Sequence, residues 1–180
     1  MKTDRWHLAK GAMVNLKKQQ FNDLLADIDH HKSNSWSVYL DLQKWRAFQA
    51  SCPMEWTRFR FTKSNRPLIP KERGIYAFTV ALDPSPLPEH GYILYMGITG
   101  DESESNLYKR YNQYLGTQKR PRVHNMLKRW EGDLFFSFVP IPDRRMSLAK
   151  IEKEFLSAIR PPVNERDFEA SISYARRAAF

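Results

Sequence analysis

Two apolar runs separated by a proline-rich break dominate the middle of the chain. Gly74 to Leu82 and Gly91 to Ile98 are both rich in aromatic and β-branched residues, the composition of strands. Between them, Asp83-Pro84-Ser85-Pro86-Leu87-Pro88 can pair with nothing, because proline has no N–H to donate to a ladder. The pattern predicts an antiparallel hairpin with a long, stiffened loop. Tyr76, near the start of one strand, and Tyr95, near the end of the next, then fall at the same end of the sheet. Their two phenol hydroxyls can face one spot.

The flanking segments alternate between helical and extended spacing. From Trp6 to Ile28, Met13, Phe21, Leu24 and Ile28 recur near a helical period, and Val38, Leu42, Trp45 and Gln49 line one face of a second helix ending near Ala50. The polar break around His30 and His31 makes the two an αα-hairpin, and adjacent histidines on such a turn diverge, so they read as solvated. Glu55 to Thr62 alternates as an edge strand with Phe59 and Phe61 on one side and Arg58 and Arg60 on the other, followed by an extended linker past Pro67 and Pro70. A helix is expected from about Asn106 to Leu115 and another starting at Pro121. Asp133 to Val139 reads as a buried central strand. The last helix runs from about Ser147 to Ile159 and is stopped by Pro161-Pro162.

These elements predict an α+β fold: a small, mostly antiparallel sheet flanked by helices at 74–164. An N-terminal helical region (1–54) and an edge strand with its linker (55–73) precede it, and a tail (165–180) follows.

Charge narrows the partner. The 180 residues carry a formal net charge of +9 and a pI near 9.7, which points toward polyanions, nucleic acid first. Cys52 is the sole cysteine, which removes disulfide frameworks and cysteine-based zinc sites and suggests a reducing cytoplasm. No apolar run approaches the roughly 20 residues that span a bilayer.

Candidate chemistry gathers on three elements. On the helix after the second tyrosine strand, Leu107, Tyr111, Tyr114 and Leu115 form the apolar face, Lys109 points away, and Arg110 sits at the edge one turn below Tyr114. Lys119, Arg120 and Arg122, followed by His124, Lys128 and Arg129, form the densest basic stretch, suited to neutralising phosphates along an exposed rim, or simply a solvated helix face; with Lys109 they are the candidate nucleic-acid-binding residues. On the last helix Glu152 projects close to the stripe formed by Leu148, Ile151, Phe155 and Ile159, while Lys150, Lys153 and Glu154 take other faces. A carboxylate aimed into a packed interface is costly unless it is paired, for instance with Arg110, or binds a cation.

Gly74-Ile75-Tyr76 and Tyr95-Met96-Gly97, taken with Arg110, Glu152 and Asn164, resemble the GIY-YIG endonuclease family. The likeness covers about Gly74 to Asn164 and includes a tyrosine four residues after the arginine, here Tyr114. Met96 stands where the family usually has Ile or Val, Ile98 stands where some relatives place lysine, and two loops are longer than is usual. The resemblance implies hydrolysis of phosphodiester bonds in DNA, with RNA left open, supported by one divalent cation, Mg²⁺ or Mn²⁺. Glu152 would ligate the metal, Arg110 would stabilise the phosphate, Tyr76 would act as base with Tyr95 as its positioning partner, and Asn164 would orient Glu152 or the tyrosine loop. Two other readings use the same residues: a nucleic-acid-binding module that does not cut, and a structural protein in which Glu152 merely pairs with Arg110.

Overall fold

A computed structural model of the chain describes residues 19–23, 39–52, 54–81 and 91–164. The chain divides into two compact units, Met1–Ser37 and Val38–Phe180. In the first, residues 19–23 are helical, as expected for that stretch, and exposed, Phe21 included. The remainder of the first helix, the paired histidines, the proline-rich loop and the C-terminal tail lie outside the described residues.

The second unit is an α+β fold built on four antiparallel strands: β1 (Thr57–Arg60), β2 (Gly74–Val80), β3 (Tyr92–Thr99) and β4 (Leu134–Pro140). Their order is β1-β4-β2-β3, which puts the apolar β4 in the interior and leaves β3 on an edge. The α-helices of this unit among the described residues are α1 (Leu42–Ser51), α2 (Leu107–Leu115), α3 (Pro121–Arg129) and α4 (Leu148–Ala158). None of them is long and apolar enough to cross a membrane.

Each helix starts where local chemistry favours a start. Asp41, Asn106 and Ser147 occupy N-cap positions, and each side chain accepts the amide three residues on, satisfying a donor the helix itself cannot. α3 begins differently, with Pro121 at its first turn and Arg120 in the cap position making no capping bond.

The two faces of the sheet bury different side chains. One is aromatic: Tyr76 stacks on Phe136 with centroids 5.4 Å apart, while Tyr111 and Tyr114 of α2 meet Phe136 and Phe78 edge-on at 5.0 and 4.8 Å. The other is mainly aliphatic: Ile75, Met96 and Val139 pack with Leu148, Ile151 and Phe155 of α4 and Phe48 of α1. A bulge in the β2–β3 ladder, where Phe78 pairs with Tyr95 but Thr79 with Ile93, leaves Leu94 unpaired. The extra residue sends Ile93 to the aliphatic core while Tyr95 stays on the aromatic face.

Three expectations change here. α1, expected within a separate helical region spanning 1–54, belongs to the second unit: Asp41 N donates to Ala158 O at 2.8 Å, and Phe48 and Trp45 pack on Phe155 at 5.7 and 5.8 Å. Its inward face is therefore Trp45 and Phe48, not the line through Leu42 and Gln49, both of which are exposed. The linker after β1 is not extended throughout, because Arg66–Leu68 forms a 3-10 turn whose geometry suits the fixed φ of Pro67.

Candidate active site

The strand register brings the tyrosines together. Tyr76 pairs with Gly97 and Phe78 with Tyr95, so both phenols stand on the aromatic face with ring centroids 6.2 Å apart. The neighbouring glycines make room for this. A Cβ at Gly97 would stand 2.6 Å from the Tyr76 hydroxyl oxygen and 2.8 Å from its Cζ, and one at Gly74 would collide with the Val139 carbonyl.

α2 contributes Arg110 and Tyr114 from one face, one turn apart. The Tyr114 and Tyr76 hydroxyls are hydrogen-bonded at 2.9 Å. Arg110 Nη1 donates to Gln113 Oε1 at 2.9 Å, and its Nε is buried without a hydrogen-bond partner, so this guanidinium retains donor capacity. Arg120 reaches in from the start of α3: Nη1 donates to Tyr95 Oη at 3.2 Å and Nη2 to Tyr114 Oη at 3.1 Å.

Burial sets the protonation of these groups. It pushes the Tyr76 phenol well above the ordinary tyrosine range, Tyr114 and Tyr95 add to the shift, and Arg110 pulls the other way. Burial likewise raises Tyr114, against the pull of Arg120. For Arg120, burial works against the cation, but the hydrogen bonds and attraction of Tyr95 and Tyr114 outweigh it and hold the charge more firmly.

These groups open onto a cleft of ≈1060 Å³ lined by Tyr76, Tyr95, Arg110 and Tyr114 on one side and by Ala149, Glu152, Lys153 and Leu156 of α4 on the other. The α4 residues follow i, i+3, i+4, i+7 spacing, a stripe adjacent to the core stripe of Leu148, Ile151 and Phe155. Glu152 is thus half-buried on the cleft wall rather than aimed into a packed interface, and Lys153, expected on another face, shares the wall. Lys44, Arg110, Lys119, Arg120 and Lys153 surround the cleft, with Glu152 the one carboxylate among the described residues that line it. Fields in such a concave site add, and the surplus of cations favours an anion.

Two residues outside the cleft hold its walls. Asp101 accepts Leu148 N and Ala149 N at 3.2 and 3.0 Å and pairs with Arg73 at 2.7 Å, fixing the first turn of α4 to the loop after β3. Asn164, expected to orient Glu152 or the tyrosine loop, does not line the cleft. It is buried, its Oδ1 accepts Met96 N at 2.8 Å and its Nδ2 donates to Met96 O at 2.7 Å. It therefore completes the open edge of β3 beside Tyr95 as another strand would.

For a divalent cation, the donor set is sparse but suitable. Among the described residues no group of three or more His, Cys, Asp or Glu side chains could hold a metal by itself. Magnesium commonly binds through one or two carboxylates, substrate phosphate oxygens and retained waters, and Glu152 on the wall of a wide polar cleft fits that pattern.

The basic stretch does not form one rim. Lys119 and Arg120 line the tyrosine cleft, whereas His124 and Lys128 line a second cleft of ≈730 Å³ with Lys63, which meets the first at Tyr114, Thr117 and Gln118. Arg122 donates to Pro162 O at 3.4 Å, Lys109 to Glu104 O at 3.2 Å, and Arg129 lies half-buried at the end of α3, so none of these three lines either cleft. Lys44 and Gln113 are cleft residues that the sequence pattern did not single out. Lys44 carries no sequence signal for this role, because α1 is brought to α4 by nonlocal packing. Compared with protein-family models, curated proteins and solved structures, the chain matches none.

Proposed function

We propose that the cleft is the reactive centre of a metal-dependent endonuclease that hydrolyses phosphodiester bonds in DNA, as the GIY-YIG resemblance implies. What carries this reading is the convergence of Tyr76, Tyr95, Arg110, Tyr114 and Glu152, distant in sequence, on one cleft ringed by cations.

Glu152 would hold the Mg²⁺ or Mn²⁺ ion, which when bound offsets charge on the phosphoryl group. Arg110, which lines the cleft, donates through its guanidinium to a phosphoryl oxygen and stabilises the charge that builds there. Tyr76, as the phenolate left once its own hydroxyl proton has passed to solvent, takes a proton from the attacking water. Since burial opposes its ionisation and Arg110 favours it, that role depends on Arg110. Tyr95 positions the water or the phosphate. Lys63, His124 and Lys128 in the adjoining cleft suit the backbone of the same strand as it leaves the centre.

Burial that keeps Tyr76 and Tyr114 neutral also suits a module that binds nucleic acid without cutting it. Incubation with supercoiled plasmid, single strands and branched junctions in Mn²⁺ separates the two readings. Nicks with mappable ends support the enzyme; salt-dependent retention without nicking supports the binding module. Single-turnover rates of Tyr76→Phe and Tyr95→Phe then assign the base.

A further inference from the structure

Arg120 breaks a local rule. It occupies the N-cap position of α3, where a short polar acceptor satisfies orphan amides and where the helix dipole disfavours a cation; its side chain caps nothing. Although the residue is exposed overall, both terminal nitrogens turn inward onto phenol oxygens, and the guanidinium carbon lies 5.4 Å from the Tyr95 ring centroid. Unfavourable local choices that persist in a fold tend to mark function.

Proton bookkeeping gives the contact a consequence. Arginine has five N–H donors and no acceptor, so Tyr95 and Tyr114 must each offer it a lone pair and direct their own hydroxyl hydrogen elsewhere. Tyr114 is also bonded to Tyr76, so one planar guanidinium orders the hydroxyls of all three tyrosines.

We propose that Arg120 is a positioning residue of the reactive centre, fixing Tyr95 and Tyr114 as hydrogen-bond acceptors so that their hydroxyl hydrogens face the substrate and Tyr76. It is not one of the rim cations that grip the strand. The role rests on the nuclease reading and adds to it a residue that acts through the phenols. A planar fork spans two oxygens at once, whereas the lysine ammonium acts as a point charge.

The test measures DNA affinity, its salt dependence and the single-turnover rate at saturating DNA in Mn²⁺ for wild type, Arg120→Ala, Arg120→Lys and Lys128→Ala, each with its thermal melt. Arg120→Ala is expected to lower the saturated rate about 10–100-fold, as loss of a positioning partner does. Arg120→Lys should keep the wild-type affinity and salt slope yet remain as slow. Lys128→Ala should weaken binding and reduce the salt slope by about 1, the signature of a phosphate contact. Should Arg120→Ala behave like Lys128→Ala, or Arg120→Lys recover the full rate, the positioning role is overturned. No cutting by the wild type would instead overturn the nuclease reading and this role with it.

Discussion

Gly97 stands directly across the β2–β3 ladder from Tyr76, and its missing side chain is the space the phenol occupies. Gly97→Ala should cost about 1–3 kcal/mol through overpacking and move Tyr76 off Tyr114. Tyr76→Phe removes the nearer of the two contacts, so the double variant should lose less than the sum of the single ones. Urea denaturation of the four proteins measures this coupling. Additive losses would mean that the ring has room to move.

Asn164 saturates both backbone groups of Met96 on an edge strand. Asn164→Ala leaves a buried donor and a buried acceptor open, each worth about 1–3 kcal/mol, so a loss of ~2–6 kcal/mol is expected. Hydrogen exchange at the Met96 amide should rise before exchange in β4. An unchanged rate there would show that the amide is protected by something other than Asn164.

Asp101 holds the helix that carries Glu152. Its pair with Arg73 is largely buried, with Arg73 8% and Asp101 21% exposed, and the same carboxylate caps the first turn of α4. Asp101→Ala takes the carboxylate from the Arg73 guanidinium, which is left on the Asp143 and Met146 carbonyls, and opens two amides, a loss of about 2–4 kcal/mol by chemical denaturation. A loss below about 0.5 kcal/mol, the usual scale for surface changes, would deny it this role.

The buried phenols predict an alkaline limit to stability. Tyr76 and Tyr114 hold their protons more tightly in the folded chain than the ordinary phenol value of 10.0. Their contribution is therefore complete below about pH 10 and lost as pH rises toward the raised native values, because the unfolded chain gives up its protons first. Urea midpoints from pH 8 to pH 11 should fall at the alkaline end. The fall should be shallower in Tyr76→Phe and Tyr114→Phe, and an equal slope in all three would contradict it.

What the sequence made legible was what repeats locally. The periods of β2, β3, β4, α2 and α4, with helix starts near Asn106 and Ser147, could be read from spacing, and so could the shared face of Arg110 and Tyr114. What it hid depended on distant partners. The inward face of α1 is decided by Phe155, far along the chain, which selects Trp45 and Phe48 over Leu42. Arg120 looked like one more cation in a basic run; the overlooked clue was its place before Pro121, where a cap is normally short and polar. Asn164 stood out in sequence, but its target, the backbone of Met96, is set by the tertiary path after α4.

The most direct test of the central claim is single-turnover cleavage of supercoiled plasmid in Mn²⁺ by the wild type and by Glu152→Ala, with both proteins shown to be folded. The wild type should nick the plasmid, and Glu152→Ala should be slower by about 100-fold or more, the scale on which removal of an electrostatic stabiliser acts. Nicking by Glu152→Ala at the wild-type rate would contradict the account.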